Sequence, residues 1–188
     1  MKDIKPDNLL LASDGSVKIG DLGVARQFGA EEVALISETQ GTFHFFSPEM
    51  CGGERYCPFK SDLWSLGVTL FILATGGVVP FMSADDNPQE LFTAIADHRQ
   101  GQLPYPPDVR VSEPLRELID LILDPNPNTR LSIQQIRVRM NQATNDARCT
   151  VARFVLRSSR SLSRSFCCSF CCFYLFCVPV RVCRSIRG

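Results

Sequence analysis

A mainly α-helical chain carrying one small β-hairpin is the fold class the sequence predicts, and three observations predict it. Two short apolar stretches, "LLLA" and "VKIG", flank an Asp-Gly pair near the start. Past residue 60, apolar residues recur at helical spacing in four segments that open on capping residues. No internal repeat and no further run of alternating residues adds a second sheet.

The elements follow in order. Residues 9–20 read as the hairpin, with "SDGS" as its turn. From Asp21 to about Glu49 the chain is irregular, broken by Gly23, Gly29, Gly41 and Pro48. Loops of that length inside a compact domain are usually functional or disordered. The stretch "SDLWSLGVTLFILATGG" (61–77) is apolar on every face and closes on Gly-Gly, which predicts a buried central helix. Over 87–101, Asn87, Pro88 and Glu90 form a cap signature, with Leu91, Phe92 and Ile95 as the inner stripe. Leu115, Leu118, Ile119 and Ile122 place another helix after Ser112, and a last one starts at Ser132 with Gln135 three residues on.

Charge divides the chain in two. The whole carries 20 basic and 20 acidic residues, a balance that predicts no nucleic-acid partner. From residue 148 onward there are eight Arg and no Asp, Glu or Lys, whereas the preceding part is net −8. Seven of the nine Cys also lie in that last stretch. The polar start has no secretory signal pattern, so Cys51 and Cys57 read as reduced thiols in a cytoplasmic setting rather than a disulfide or zinc pair. His44 and His98 belong to no motif and read as surface or loop residues, and Trp64 as core packing.

Chemistry concentrates elsewhere. "DIKPDN" at 3–8, "DLG" at 21–23, "GT" at 41–42, "SPE" at 47–49, "DLWSLG" at 62–67 and Arg130 occur in the order and spacing of eukaryotic protein kinases, which this chain resembles from residue 1 to about 136. Phosphoryl transfer is largely positioning and charge neutralisation, so it wants oxygen ligands for Mg²⁺ and a carboxylate facing the acceptor hydroxyl. The resemblance implies ATP and Mg²⁺ as cofactors. It makes Asp3 the base that orients the hydroxyl, and Asn8 and Asp21 the Mg²⁺ ligands. Lys5 would sit against the transferred phosphate, as in serine/threonine kinases, and Thr42 would hydrogen-bond to Asp3. Glu49 and Arg130 resemble a structural ion pair, and Asp62 resembles the residue that pins the catalytic-loop backbone. Ser37 and Thr39 are candidate phosphosites; ordinary exposed hydroxyls are the alternative.

"VKIGDLGVARQF", "ISETQGTFHFFSPEM" and "LWSLGVTLFILATGGVVPF" look like calcium/calmodulin-dependent protein kinase kinases and related upstream activating kinases. That implies a protein substrate, such as the activation loop of another kinase. Departures at motif positions are Met1 for His, Lys2 for Arg, Leu22 for Phe, Phe43 for a small residue or Pro, and Ser47 for Ala. No G-x-G-x-x-G loop occurs, nor the strand Lys that pairs with ATP phosphates. The expectation is therefore the C-terminal lobe of the protein-kinase fold without the N-lobe, a partial domain over 1–142 that begins inside the domain. Two rivals stand beside an enzyme: a non-catalytic binding module, and a remnant without function.

Residues 143–188 form a basic Ser/Arg/Cys/Phe-rich tail. Three readings stay open for it. Phe166–Val180 is an apolar run of 15 residues, short of the ~20 that cross a bilayer, yet Cys167, Cys168, Cys171 and Cys172 could be acylated for membrane contact. The basic, apolar stretch around Phe154, Val155 and Leu162 could recruit calmodulin. Alternatively, the tail is read-through or frame-shifted sequence with no evolved role, disordered if so.

Overall fold

The computed structural model describes residues 3–29, 35–53, 55–85 and 87–145. The tail readings, for membrane and calmodulin alike, lie outside them. Strands β1 (Leu9–Leu11) and β2 (Val17–Ile19) form a two-stranded antiparallel sheet. Among the described residues five α-helices follow: α1 (Pro48–Cys51), α2 (Pro58–Thr75), α3 (Pro88–Ala96), α4 (Glu113–Ile122) and α5 (Ile133–Asn145). The architecture is mostly helical with one small sheet. Among the described residues, no helix is long and apolar enough to cross a membrane.

The hairpin pairs Leu9 with Ile19, Leu10 with Lys18 and Leu11 with Val17. Its loop is one residue longer than a two-residue Asp-Gly turn. Ala12 and Ser16 close it by a backbone bond, and Gly15 takes φ 80°, a left-handed conformation costly for any residue with a Cβ.

Helix α2 is the central post. Trp64, Val68, Leu70 and Phe71 are fully enclosed, as the all-round apolar pattern requires. It starts at Pro58, three residues before the expected start, because a proline in the first turn has no N–H to lose and a preset φ. It stops at Thr75 because Gly76 turns left-handed, φ 76°, and its N–H caps the Ile72 carbonyl. Gly67 lets α4 approach. A Cβ there would lie 2.8 Å from side-chain carbons of both Ile122 and Leu123, so these side chains rest directly on the α2 backbone.

Helix α3 ends at Ala96, earlier than the expected 101, where His98 turns inward. That histidine overturns the surface reading: it is 6% exposed and sits edge-on to Trp64 and Phe81. The apolar rings supply the burial, which nothing in the local sequence announces. Asn87 caps α3 by accepting from Gln89 N–H at 3.0 Å. Ser132 and Gln135 form a reciprocal capping box at the head of α5, with bonds of 2.8 and 3.3 Å. Helix α5 runs to Asn145, past the expected boundary at 142.

Candidate active site

The catalytic-looking loop is short, polar and buried. Pro6–Asn8 form one 3-10 turn feeding directly into β1, and Pro6 fixes its first dihedral. Asp3 and Asn8 are 9% and 8% exposed, so their polar atoms need partners inside the protein.

Those partners are each other, Lys5 and Thr42. Asp3 Oδ1 accepts from Thr42 N–H at 3.2 Å and from Thr42 Oγ1 at 3.0 Å. Asp3 Oδ2 pairs with Lys5 Nζ at 2.8 Å and accepts from Asn8 Nδ2 at 3.1 Å. Lys5 Nζ also donates to Thr42 Oγ1 at 2.8 Å. Thr42 is 39 residues from Asp3 in sequence, so the fold rather than the local chain assembles the cluster. Burial pushes the Asp3 carboxyl up, but the bonds from Lys5 and Thr42 and the Lys5 charge together outweigh it. The net result lies below the ordinary carboxylate value, and Asp3 is an anion at neutral pH.

Hairpin register sets the second group. Gly20 N–H donates to the Asn8 carbonyl at 2.7 Å, continuing the β1–β2 ladder by one step. Asp21, one residue further, therefore emerges at the same end of the hairpin as Asn8. Asp21 is exposed and takes φ 48°, the only described non-glycine residue with positive φ. Its Oδ1 accepts from Gly23 N–H at 3.1 Å. Asp tolerates this region better than most residues, and such outliers gather at functional sites.

The scaffold that holds the two loops together was not legible as a site. Ser61, Ser65 and Thr69 lie four residues apart on one stripe of α2, all buried. Ser65 Oγ donates to the Phe45 carbonyl at 2.8 Å, whereas Thr69 Oγ1 donates to the Ser65 carbonyl of its own helix at 2.8 Å and lies 3.3 Å from the Ile4 carbonyl. One helical turn thus holds the turn that follows Thr42 and lies against the loop bearing Asp3. Three hydroxyls at fourfold spacing inside an apolar helix were the available signal.

Glu49 and Arg130 meet as a bidentate pair, at 2.7 and 2.8 Å. Asp62 is half-buried near the head of α2. Ser37 and Thr39 are exposed. Phe43, beside Thr42, is 46% exposed and packs edge-on against Phe46 and against Phe92 of α3.

Known proteins resemble this chain over most of its length. A serine/threonine-protein kinase, STK11, of Gallus gallus is 41% identical over 140 residues, covering 72% of this chain and 30% of its own length. CBL-interacting serine/threonine-protein kinase 15 of Arabidopsis thaliana is 38% identical over 136 residues, with coverage of 72% and 30%. The probable serine/threonine-protein kinase KCC4 of Saccharomyces cerevisiae is 36% identical over 135 residues, covering 72% of this chain and 12% of its own length. The chain thus spans under a third of the length of the relatives it matches. Residues 1–139 match the family described as protein kinase domain, and the chain belongs to that family, with serine/threonine kinases as its relatives.

Proposed function

We propose that Asp3, Lys5, Asn8, Asp21 and Thr42 form the phosphoryl-transfer site of a serine/threonine protein kinase, and that residues 1–142 are the larger, helical lobe of that enzyme. The observation that carries the reading is the Asp3 carboxylate, buried yet held ionised by three side chains.

Its four acceptor positions are all in use: two by Thr42, one by Lys5 and one by Asn8. An incoming hydroxyl must therefore displace one donor. Lys5 is the one that can leave, because its ammonium rides on a flexible stem and its side chain is 22% exposed. Drawn toward the phosphate being transferred, Lys5 frees Oδ2 to accept the substrate hydroxyl. Asp3 then aligns the nucleophile and takes up its proton late, as befits a weak base. Thr42 keeps the carboxylate from rotating.

The donor set suits Mg²⁺. Asn8 commits its amide nitrogen to the Asp3 carbonyl at 2.8 Å and to the Asp3 carboxylate, which turns Oδ1 the other way. That oxygen and the Asp21 carboxylate are hard ligands at one end of the hairpin, the type Mg²⁺ takes. Mg²⁺ with ATP would supply the phosphoryl group and neutralise its charge. Leu10, Leu11 and Leu22 are 57%, 39% and 47% exposed on and beside the hairpin, an apolar surface on which an ATP-clamping lobe would pack.

For the finer class we propose an upstream activating kinase of the calcium/calmodulin-dependent protein kinase kinase type, supported by residues 17–28, 36–50 and 63–81. Its substrate would be a protein, the activation loop of another kinase being the favoured one. Glu49, Arg130 and Asp62 serve as architecture in this reading.

The test joins the glycine-rich lobe of one of the kinase relatives upstream of Met1 and measures Mg·ATP-dependent transfer to Ser, Thr and Tyr peptides. Transfer to Ser or Thr peptides, abolished by Asp21→Ala, is the expected result. A nucleotide-binding chimera that transfers to none of them would refute the assignment.

A further inference from the structure

Glu113, Glu117, Asp120 and Asp124 follow one another at intervals of four, three and four residues along α4 and the turn after it. That spacing keeps four side chains on one side of a helix. Glu113 and Glu117 are exposed, and Asp120 and Asp124 are half-buried. Little on this side answers their charge. Arg116, the one cation of α4, lays its guanidinium over the Tyr105 ring at 4.5 Å. Gly101 N–H serves Asp120, and Asn126 N–H donates to Asp124 Oδ1 at 2.9 Å. Burial raises the Asp120 carboxyl above its ordinary value, and the Glu113 charge pushes the same way, against the Gly101 bond and Arg116. Among the described residues, Glu117 alone of the four has an ion-pair partner, Arg139 of α5 at 3.6 Å.

The matching charge lies in the same chain. Residues 1–147 are net −8, and the eight Arg after them make the rest +8. Arg153, Arg157, Arg160 and Arg164 repeat the intervals of the acids: four, three, four. These arginines lie outside the described residues, but the chain that leads to them starts at the acidic face. Arg139 already reaches Glu117, and α5 ends at Asn145, about 9 Å further along its axis. Residues 146–152 can then span up to about 25 Å, enough to cover a stripe about 17 Å long.

We infer that the segment from Arg153 to Arg164 docks in helical form along the outer face of α4, each arginine meeting the acid at the same step of the stripe. Equal spacing brings four pairs into register at once, and a slip of one helical turn leaves two at most. Each pair alone is weak at an exposed surface and screened by salt. The tether makes them act together, because it holds the segment at high effective concentration. Docked, the arginines are withheld from other anions, so α4 governs when this part of the tail is free for another partner.

Trypsin cleaves after arginine and so reads the docking on the 188-residue chain itself. At low salt, cleavage after Arg153, Arg157, Arg160 and Arg164 should be about three- to tenfold slower than in about 0.5 M salt. Cleavage after Arg181, Arg184 and Arg187, outside the segment, should not show this difference. Glu113→Lys combined with Glu117→Lys should remove the protection, at exposed positions that leave the core untouched. Adding Arg153→Glu and Arg157→Glu to that variant should restore slow cleavage after Arg160 and Arg164. Equal rates at low and high salt would overturn the inference, as would protection that survives the two lysines or is not restored by the reversed charges. Protection that grows with protein concentration would assign the stripe to a second copy's tail and overturn it too. So would protection seen only with phosphatidylserine vesicles, which would assign the arginines to a lipid surface.

Discussion

Arg130 and Glu49, 81 residues apart, lock together through two parallel hydrogen bonds, and the arginine has no donor left over. Its remaining N–H groups go to the carbonyls of Lys60, Asp124 and Pro125, and its plane lies over the Trp64 ring at 5.1 Å. This side chain is 1% exposed and ties α1, the head of α2 and the loop before α5 into one body.

Arg130→Lys should therefore behave as a severe change. Lysine cannot span the fork, the three carbonyls and the ring at once. The lysine ammonium still pairs with Glu49 but leaves one carboxylate oxygen and buried carbonyls short of donors, which should cost about 1–3 kcal/mol, read from the urea midpoint. A loss within 1 kcal/mol would show the pair to be incidental. Glu49→Gln should cost less, because the amide oxygen still accepts one of the two bonds.

Gly67→Ala tests the close approach of α2 and α4. Alanine gains ~1 kcal/mol of helix propensity over glycine. A new methyl 2.8 Å from Ile122 and Leu123 must displace both. Overpacking of this kind costs about 1–3 kcal/mol, so the variant should be neutral to 2 kcal/mol less stable by urea unfolding. Clear stabilisation would mean that the helices slide apart without cost.

His98 gives the fold a pH response with a defined sign. Burial between Trp64 and Phe81 lowers its affinity for a proton, the Arg99 charge adds to this, and a bond with the Leu123 backbone opposes it. The folded value thus lies below the ordinary 6.5. The unfolded chain takes up the proton first as pH falls, so stability is full above 6.5 and declines toward the folded value. His98→Leu should flatten the dependence of the unfolding midpoint between pH 7 and about pH 5, where ordinary carboxylates begin to titrate. An unchanged slope would place the sensitivity elsewhere.

Ser65 and Thr69 are predicted to matter for turnover out of proportion to their effect on stability. Replacing Thr69 by Val keeps the shape and removes the 2.8 Å bond to the Ser65 carbonyl together with the 3.3 Å approach to the Ile4 carbonyl, at a cost of about 1 kcal/mol. With the Asp3 loop freed from α2, transfer in the two-lobed chimera should fall about tenfold or more, since small misplacements are costly in this chemistry. Unaltered kcat would deny α2 this positioning role.

What the sequence revealed follows from the range of the forces involved. Helices α3, α4 and α5 announced themselves because caps and apolar stripes are local features; Asn87, Ser112, Ser132 and Gln135 stand at their heads. Asp3, Asn8, Asp21 and Thr42 could be named from motif spacing. Their actual contacts, such as Lys5 bridging Asp3 and Thr42, depend on tertiary closure. His98 was misread because the rings that bury it are 34 and 17 residues earlier in the sequence. Helix α1, four residues long, has too few positions to show a period.

The most direct measurement is the effect of Asp3→Asn on the chimera, with kcat and Mg·ATP affinity determined separately. Asn8 and Asp21, the proposed metal ligands, are left intact, so nucleotide affinity should stay within about threefold while kcat falls by a factor of ~10²–10⁴, the contribution of a positioned acid–base group. The same assay on the 188-residue chain alone should show no transfer, because no G-x-G-x-x-G loop or paired strand lysine lies within it. Turnover unaffected by Asp3→Asn, with the protein folded and nucleotide bound, would contradict the account at its centre.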